Sequence, residues 1–105
     1  MSKKVNINEN NKNKNDCIKE LKTIPGVGVK IAEDLWQLGI RSIDDLCLTT
    51  ADILYEKLEH HQSQHVDRCM LYVFRCIIYY ASYTKHDKEL LKWWNWTDEK
   101  LKTRT

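Results

Sequence analysis

Residues that stop helices are crowded into one short stretch of this chain: Pro25 is the only proline, and Gly26, Gly28 and Gly39 are the only glycines. Proline and glycine are the two costliest residues inside a helix, so their confinement leaves the rest free to coil. Elsewhere apolar residues recur at three- and four-residue steps with little alternation, which predicts an all-α chain. Its 105 residues suffice for a single small core with tails.

Inside that stretch, Leu21 to Leu35 reads as two helices joined by Pro25-Gly26-Val27-Gly28. Glycine tolerates the positive φ of a tight turn and leaves the backbone bare. The amides of Gly26, Gly28 and Val29 are placed to converge at a helix N-terminus, where the dipole favours an anion. A plain helix-helix turn is the alternative, although it needs neither the second glycine nor the small Ala32 where the helices would cross. The pattern resembles the helix-hairpin-helix motif, which grips nucleic-acid backbones. On that resemblance Gly26, Val27, Gly28, Val29, Lys30 and Lys22 are the expected DNA-backbone contacts. No Gly-x-x-x-x-Gly-Lys-Ser/Thr occurs, and no strand-forming run precedes Gly26 as a dinucleotide fold requires.

Along the chain, residues 1–15 are too polar to order and are expected to form a disordered basic tail. Asp16 is expected to cap a helix over 17–23, followed by one over 29–38 that buries Ile31, Ala32, Leu35 and Leu38 and stops at Gly39. Ser42 with Asp45, then Thr49 with Asp52, predict capped helices over 43–47 and 50–60, the latter turning Ile53, Leu54 and Leu58 inward. A polar turn, His61 to Gln64, leads to a long helix over 65–83 with Val66, Met70, Val73, Phe74, Ile77, Tyr80 and Ala81 on one face. The apolar run of this helix covers roughly 22 Å, too short for a bilayer. This order resembles a tandem, SAM-domain-like helix-hairpin-helix domain of five helices over 16–83, with a Trp-rich extension over 84–105. Its second hairpin lacks glycine, so His61, Gln62 and Ser63 could only supply side-chain contacts there, unless the turn is merely solvated.

Charge argues against strong nucleic-acid affinity. The net charge is +2, yet residues 16–82 carry seven basic against ten acidic side chains, while the flanking segments are basic. Counterion release by Lys and Arg dominates non-specific binding, so an acidic centre predicts moderate-to-low affinity. Arg41 follows the second helix as a secondary contact. Arg68, Tyr72, Arg75, Tyr79 and Tyr83 form a stripe that suits a backbone or a protein partner, unless Arg75 pairs with an acidic residue and the tyrosines pack the C-terminal segment.

The run from Asp67 to Cys76, then Tyr79-Tyr80-Ala81-Ser82, and Leu90-Leu91-Lys92-Trp93-Trp94-Asn95-Trp96, resembles the small bacterial pathogenicity-locus family, some members of which carry the label mitomycin-resistance protein. The resemblance implies a helix-hairpin-helix fold and DNA binding, with no enzymatic activity attached. Asp87 is expected to cap a short helix that docks Leu90, Leu91 and Trp94 on the long helix. Trp93, Trp94 and Trp96 are otherwise a protein anchor or a base-stacking platform.

Other chemistry is weaker. His61, His65, Cys69 and Cys76 would share one side of a continuous helix, but without a CxxC or HxH clamp the cysteines read as core residues and no metal is expected. Asp44 or Asp45 stands where a glycosylase acid would, without the second domain such an enzyme needs, so a non-enzyme without cofactors is expected. Four cysteines without a secretory signal predict reduced thiols and a cytoplasmic protein.

Overall fold

Asn13 opens the first helix. The computed structural model describes residues 13–104, and all regular structure among them is helical. Helix α1 spans Lys14–Leu21, and the extended Asn13 caps it by accepting from the Asp16 amide at 2.9 Å. Its cap therefore lies three residues ahead of the expected Asp16. Of the expected tail, residues 13–15 belong to this cap and first turn, and the others lie outside the described residues. Cys17 and Leu21 form the buried side of α1.

Gly26 makes the following turn at φ +86°, while Val27 packs inward and donates its amide to Ile24 O at 3.0 Å. Helix α2, Val29–Gln37, buries Ala32 and Leu35 and half-buries Ile31 and Leu38. Gly39 stops it as expected, at φ +96°. The Ile40 amide reaches Leu35 O and the Gly39 amide Trp36 O, the paired 6→1 and 5→2 bonds of a Schellman end.

The connector expected over 43–47 is a 3₁₀ turn, η1, over Asp44–Leu48. Asp45 and Ser42 do hold it: the Asp45 carboxylate accepts from the Arg41 amide at 2.8 Å, and Ser42 Oγ from the Asp45 amide at 3.3 Å. Glu20 of α1 also accepts from the Ile43 amide at 2.8 Å, pinning the connector to the first helix. Helix α3, Ala51–Gln62, is capped by Thr50 rather than Thr49, through a 3.2 Å bond from the Ile53 amide. Leu54, Tyr55 and Leu58 face inward and Ile53, expected inside, is 44 % exposed.

Helix α4 runs only over Cys69–Ser82. Residues 65–67 stay outside the helix: Val66 is stitched to α3, its amide donating to Glu59 and its carbonyl accepting from the Tyr55 hydroxyl, and the Asp67 carboxylate accepts from the Cys69 amide at the start of α4. Leu71, Phe74, Cys76 and Ile77 are its buried residues, whereas Met70, Val73, Tyr80 and Ala81 are half-buried. Cys69, expected in the core, is exposed. Two further 3₁₀ turns, η2 over Lys88–Leu91 and η3 over Trp93–Trp96, lie along the outer side of α4, and helix α5 over Asp98–Arg104 packs on η3 and reaches α4 through Asp98. The fifth α-helix is thus C-terminal and not the connector. Among the described residues, no helix is long and apolar enough to cross a membrane.

α3 ends as α2 does, with the Gln64 amide on Glu59 O and the Ser63 amide on His60 O, but its left-handed residue is Ser63 at φ 55°. A side chain there carries the strain that Gly39 avoids. Ser63→Gly is expected to raise unfolding free energy by about 0.5–1 kcal/mol, read from the urea midpoint.

Candidate nucleic-acid interface

The turn before α2 leaves its amides unclaimed. The first backbone bond of this helix runs from the Ala32 amide to Gly28 O, so the amides of Gly28, Val29, Lys30 and Ile31 have no helical acceptor. Gly28 caps the helix with extended backbone, φ −97° and ψ −169°, and no side chain answers those amides. A Cβ built on Gly28 would meet nothing within 4 Å, so the space above the helix end is open. The Gly26 amide likewise has no backbone acceptor among the described residues. Val27 differs from the expectation, since its amide is spent on Ile24 O and its side chain is buried; it anchors the turn. Val29 stands at the rim, 53 % exposed.

Charge around these amides is balanced. Lys22 and Lys30 are both exposed, but Lys30 Nζ lies 3.2 Å from Asp34, one turn along α2. Arg41 is carried to the opposite end of α2, where its guanidinium lies 4.0 Å above the Trp36 ring and donates to Trp36 O. That position suits a cation at a helix C-terminus and is roughly 13 Å of helix rise from Gly28. Trp36 was not visible as a functional candidate in the sequence. It sits between Arg41 and Lys14, 4.9 Å away, and its buried Nε1 has no hydrogen-bond partner.

The second turn is built the other way. Its Ser63 and Gln64 amides are consumed by the end of α3, and Asp67, just ahead of α4, places its own carboxylate on the Cys69 amide. That bond holds the Asp67 pKa below its ordinary value. His61, Gln62 and Ser63 lie at the C-terminal, electronegative end of α3. An open cleft beside them is lined by His61, Glu56, Glu59 and His65 together with Gln37 and Leu38 from the far end of α2. His65 Nδ1 is 3.1 Å from Glu59. Because α4 begins at Cys69, the four residues considered for a metal do not share one helix. Among the described residues, no group of three or more His, Cys, Asp or Glu is placed to hold an ion.

The C-terminal segment lies over Tyr72, Arg75 and Tyr79 of the Arg/Tyr stripe, while Tyr83 is 61 % exposed and Arg68 half open to solvent. Asp98 receives Arg68 Nε at 2.7 Å, Arg75 Nη2 at 3.0 Å and the Tyr72 hydroxyl at 3.2 Å. Arg75 also donates to Trp96 O at 2.8 Å, and the Trp96 ring lies 5.4 Å from Tyr79. Trp96 is therefore the indole that docks; Trp94, expected to, is 53 % exposed, and Trp93 packs edge-on against it. Asp87 caps η2 as expected, through the Glu89 amide. Burial lifts the Cys76 thiol to about 11, consistent with a structural cysteine.

The chain belongs to the Cdd1 pathogenicity-locus family, whose model matches residues 14–102 and so takes in the open turn, all of α2 to α4 and the tryptophan-rich segment. Comparisons with curated proteins and with solved structures give no match.

Hydrogen bonding from Arg68, joined by Arg75 and Tyr72, holds the Asp98 carboxyl down to about 2. A depressed carboxyl stabilises the fold above its unfolded pKa, roughly pH 4, and that contribution disappears as pH falls through the folded value. Acidification from pH ~4 to ~2 should loosen the C-terminal segment, followed by NMR of the Trp96 indole N–H that donates to Leu90 O. Asp98→Asn should already be loosened at neutral pH and lack this step.

Proposed function

We propose that this is a non-enzymatic, cytoplasmic DNA-binding protein whose α1-turn-α2 unit is a helix-hairpin-helix that holds one backbone phosphate. The observation that carries the proposal is the unanswered set of amides under Gly28, open to solvent at the positive end of α2. Gly26, Gly28, Val29 and Lys30 would donate main-chain N–H groups to a phosphate oxygen, and Lys22 and Lys30 would add charge. Contacts of this kind go to the sugar-phosphate chain and carry no base information, so sequence preference is slight. In the tandem arrangement the second hairpin is the silent one, because the amides at the start of α4 are already answered, that of Cys69 by the Asp67 carboxylate and that of Met70 by Asp67 O.

A helical adaptor for a protein partner is the competing function. It is favoured by apolar side chains standing in solvent, Leu48 at 85 % and Trp94 at 53 %, and by the acidic balance of residues 16–82. Salt separates the two, since phosphate contacts weaken steeply with ionic strength and an aromatic anchor hardly responds.

Gly28→Asp separates them further. Its backbone is already extended, so the new carboxylate would cap α2 and raise stability by about 0.5–1 kcal/mol. The same carboxylate would occupy the phosphate position, and duplex affinity in a fluorescence-anisotropy titration is expected to fall roughly tenfold or more. Undiminished duplex binding by this more stable variant would sink the hairpin proposal.

A further inference from the structure

One carboxylate in this protein is gripped in the way a phosphate would be. Both Asp98 oxygens are engaged, Oδ1 by Arg75 and Oδ2 by Arg68 and the Tyr72 hydroxyl. Two guanidinium groups and a phenol converging on one anion are the donor set that also suits a phosphate. Arg75 is well ordered for that task, its side chain only 16 % exposed and braced by Trp96 O and the Tyr72 ring, while Arg68 and Asp98 remain half open to solvent. We propose that Arg68, Tyr72 and Arg75 form an anion site filled by the chain's own Asp98, and that residues 88–102 are a strap which a nucleic-acid phosphate displaces.

The strap is built to leave. Neither η2 nor η3 contains a buried residue, and short 3₁₀ turns have the weaker hydrogen-bond geometry of their class. Polar bonds run from it to α4, Asp98 and Trp96 O on the arginines and Leu90 O on the Cys76 thiol, beside one tilted ring contact of Trp96 with Tyr79. A backbone phosphodiester carries the same single charge as the carboxylate and presents two oxygens to the same donors, and the neighbouring phosphates of a duplex add their field to it. The stripe of α4 would then become a second nucleic-acid contact, separate from the Gly28 turn. This inference rests on the proposed DNA binding only for the choice of nucleic acid as ligand.

The test uses a labelled random-sequence duplex and the full chain at several salt concentrations. Asp98→Ala is expected to bind about five- to tenfold more tightly than the parent, with a log–log salt dependence steeper by about one, for the one phosphate the freed site neutralises. Glu99→Ala removes the same charge from an exposed neighbour and should gain no more than about twofold. Asp98→Ala/Arg75→Gln should return to the parental affinity. Asp98→Asn repeats the measurement should the alanine variant lose its helical circular dichroism. In the unaltered protein, a saturating excess of duplex should speed amide exchange at Leu90, Lys92 and Asn95, whose amides close η2 and η3, without touching α3. Equal gains from Asp98→Ala and Glu99→Ala, or a strap whose exchange ignores the duplex, would overturn the inference. Gly28→Asp in the same titrations keeps the two proposals apart: its undiminished binding discredits the hairpin alone, and tighter binding by Asp98→Ala supports the strap even then.

Discussion

Phe74 lies wholly out of water at the middle of α4, and the arrangement of the other helices follows from covering the two sides of that helix. On one side Leu71, Phe74 and Ile77 meet Leu54 and Leu58 of α3 and Leu46 of η1 in a single core that reaches back to Leu21 and Leu35. On the other side the C-terminal segment lies over Tyr72, Arg75, Cys76 and Tyr79. The apolar face of α4 is covered by α3 and η1, and its Arg/Tyr side by the C-terminal segment. Removing the Phe74 ring would leave a cavity in the middle of the core, the kind of change that costs about 3–5 kcal/mol.

That scaffold presents two helix starts that are built differently: Gly28 caps α2 with extended backbone, whereas Arg68 leads into α4 in helical backbone. Before α2 the cap is Gly28, with bare amides and open space; before α4, Asp67 spends its own carboxylate on the equivalent electropositive end. The same physics, an anion at a helix N-terminus, is answered internally in one case and left for a ligand in the other. Asp98 repeats the theme with side-chain donors in place of amides. Of these three anion positions, two are occupied by the chain itself.

Much of the helical order was legible because it is local. Pro25, Gly26 and Gly28 mark the first turn, Gly39 stops α2 through its positive φ, and Asp87 caps η2. The errors cluster where two signals competed at neighbouring positions or where a distant partner decided. Thr49 and Thr50 were equally good caps, and only packing of Leu54, Tyr55 and Leu58 selected the second, which put Ile53 outside. Residues 65–67 carry a helical pattern, yet Glu59 and Tyr55 hold Val66 outside the helix, and their hold is set by the course of α3. Among three nearby tryptophans, periodicity could not tell that Trp96 would meet Tyr79 while Trp94 stayed in solvent, since 3₁₀ turns do not follow a 3.6-residue repeat.

The all-helical class, the position of the bare turn and the residues that bound α2 came from the amino-acid order alone, because backbone conformation at proline, glycine and capping residues is dictated within a few residues. Pairing Arg68 and Arg75 with Asp98, stationing Arg41 over Trp36 away from Gly28, and withdrawing the Val27 amide from the candidate site all required the folded chain. Those arrangements join side chains up to thirty positions apart, or hinge on which way an amide points, and such outcomes follow from the packing of whole helices.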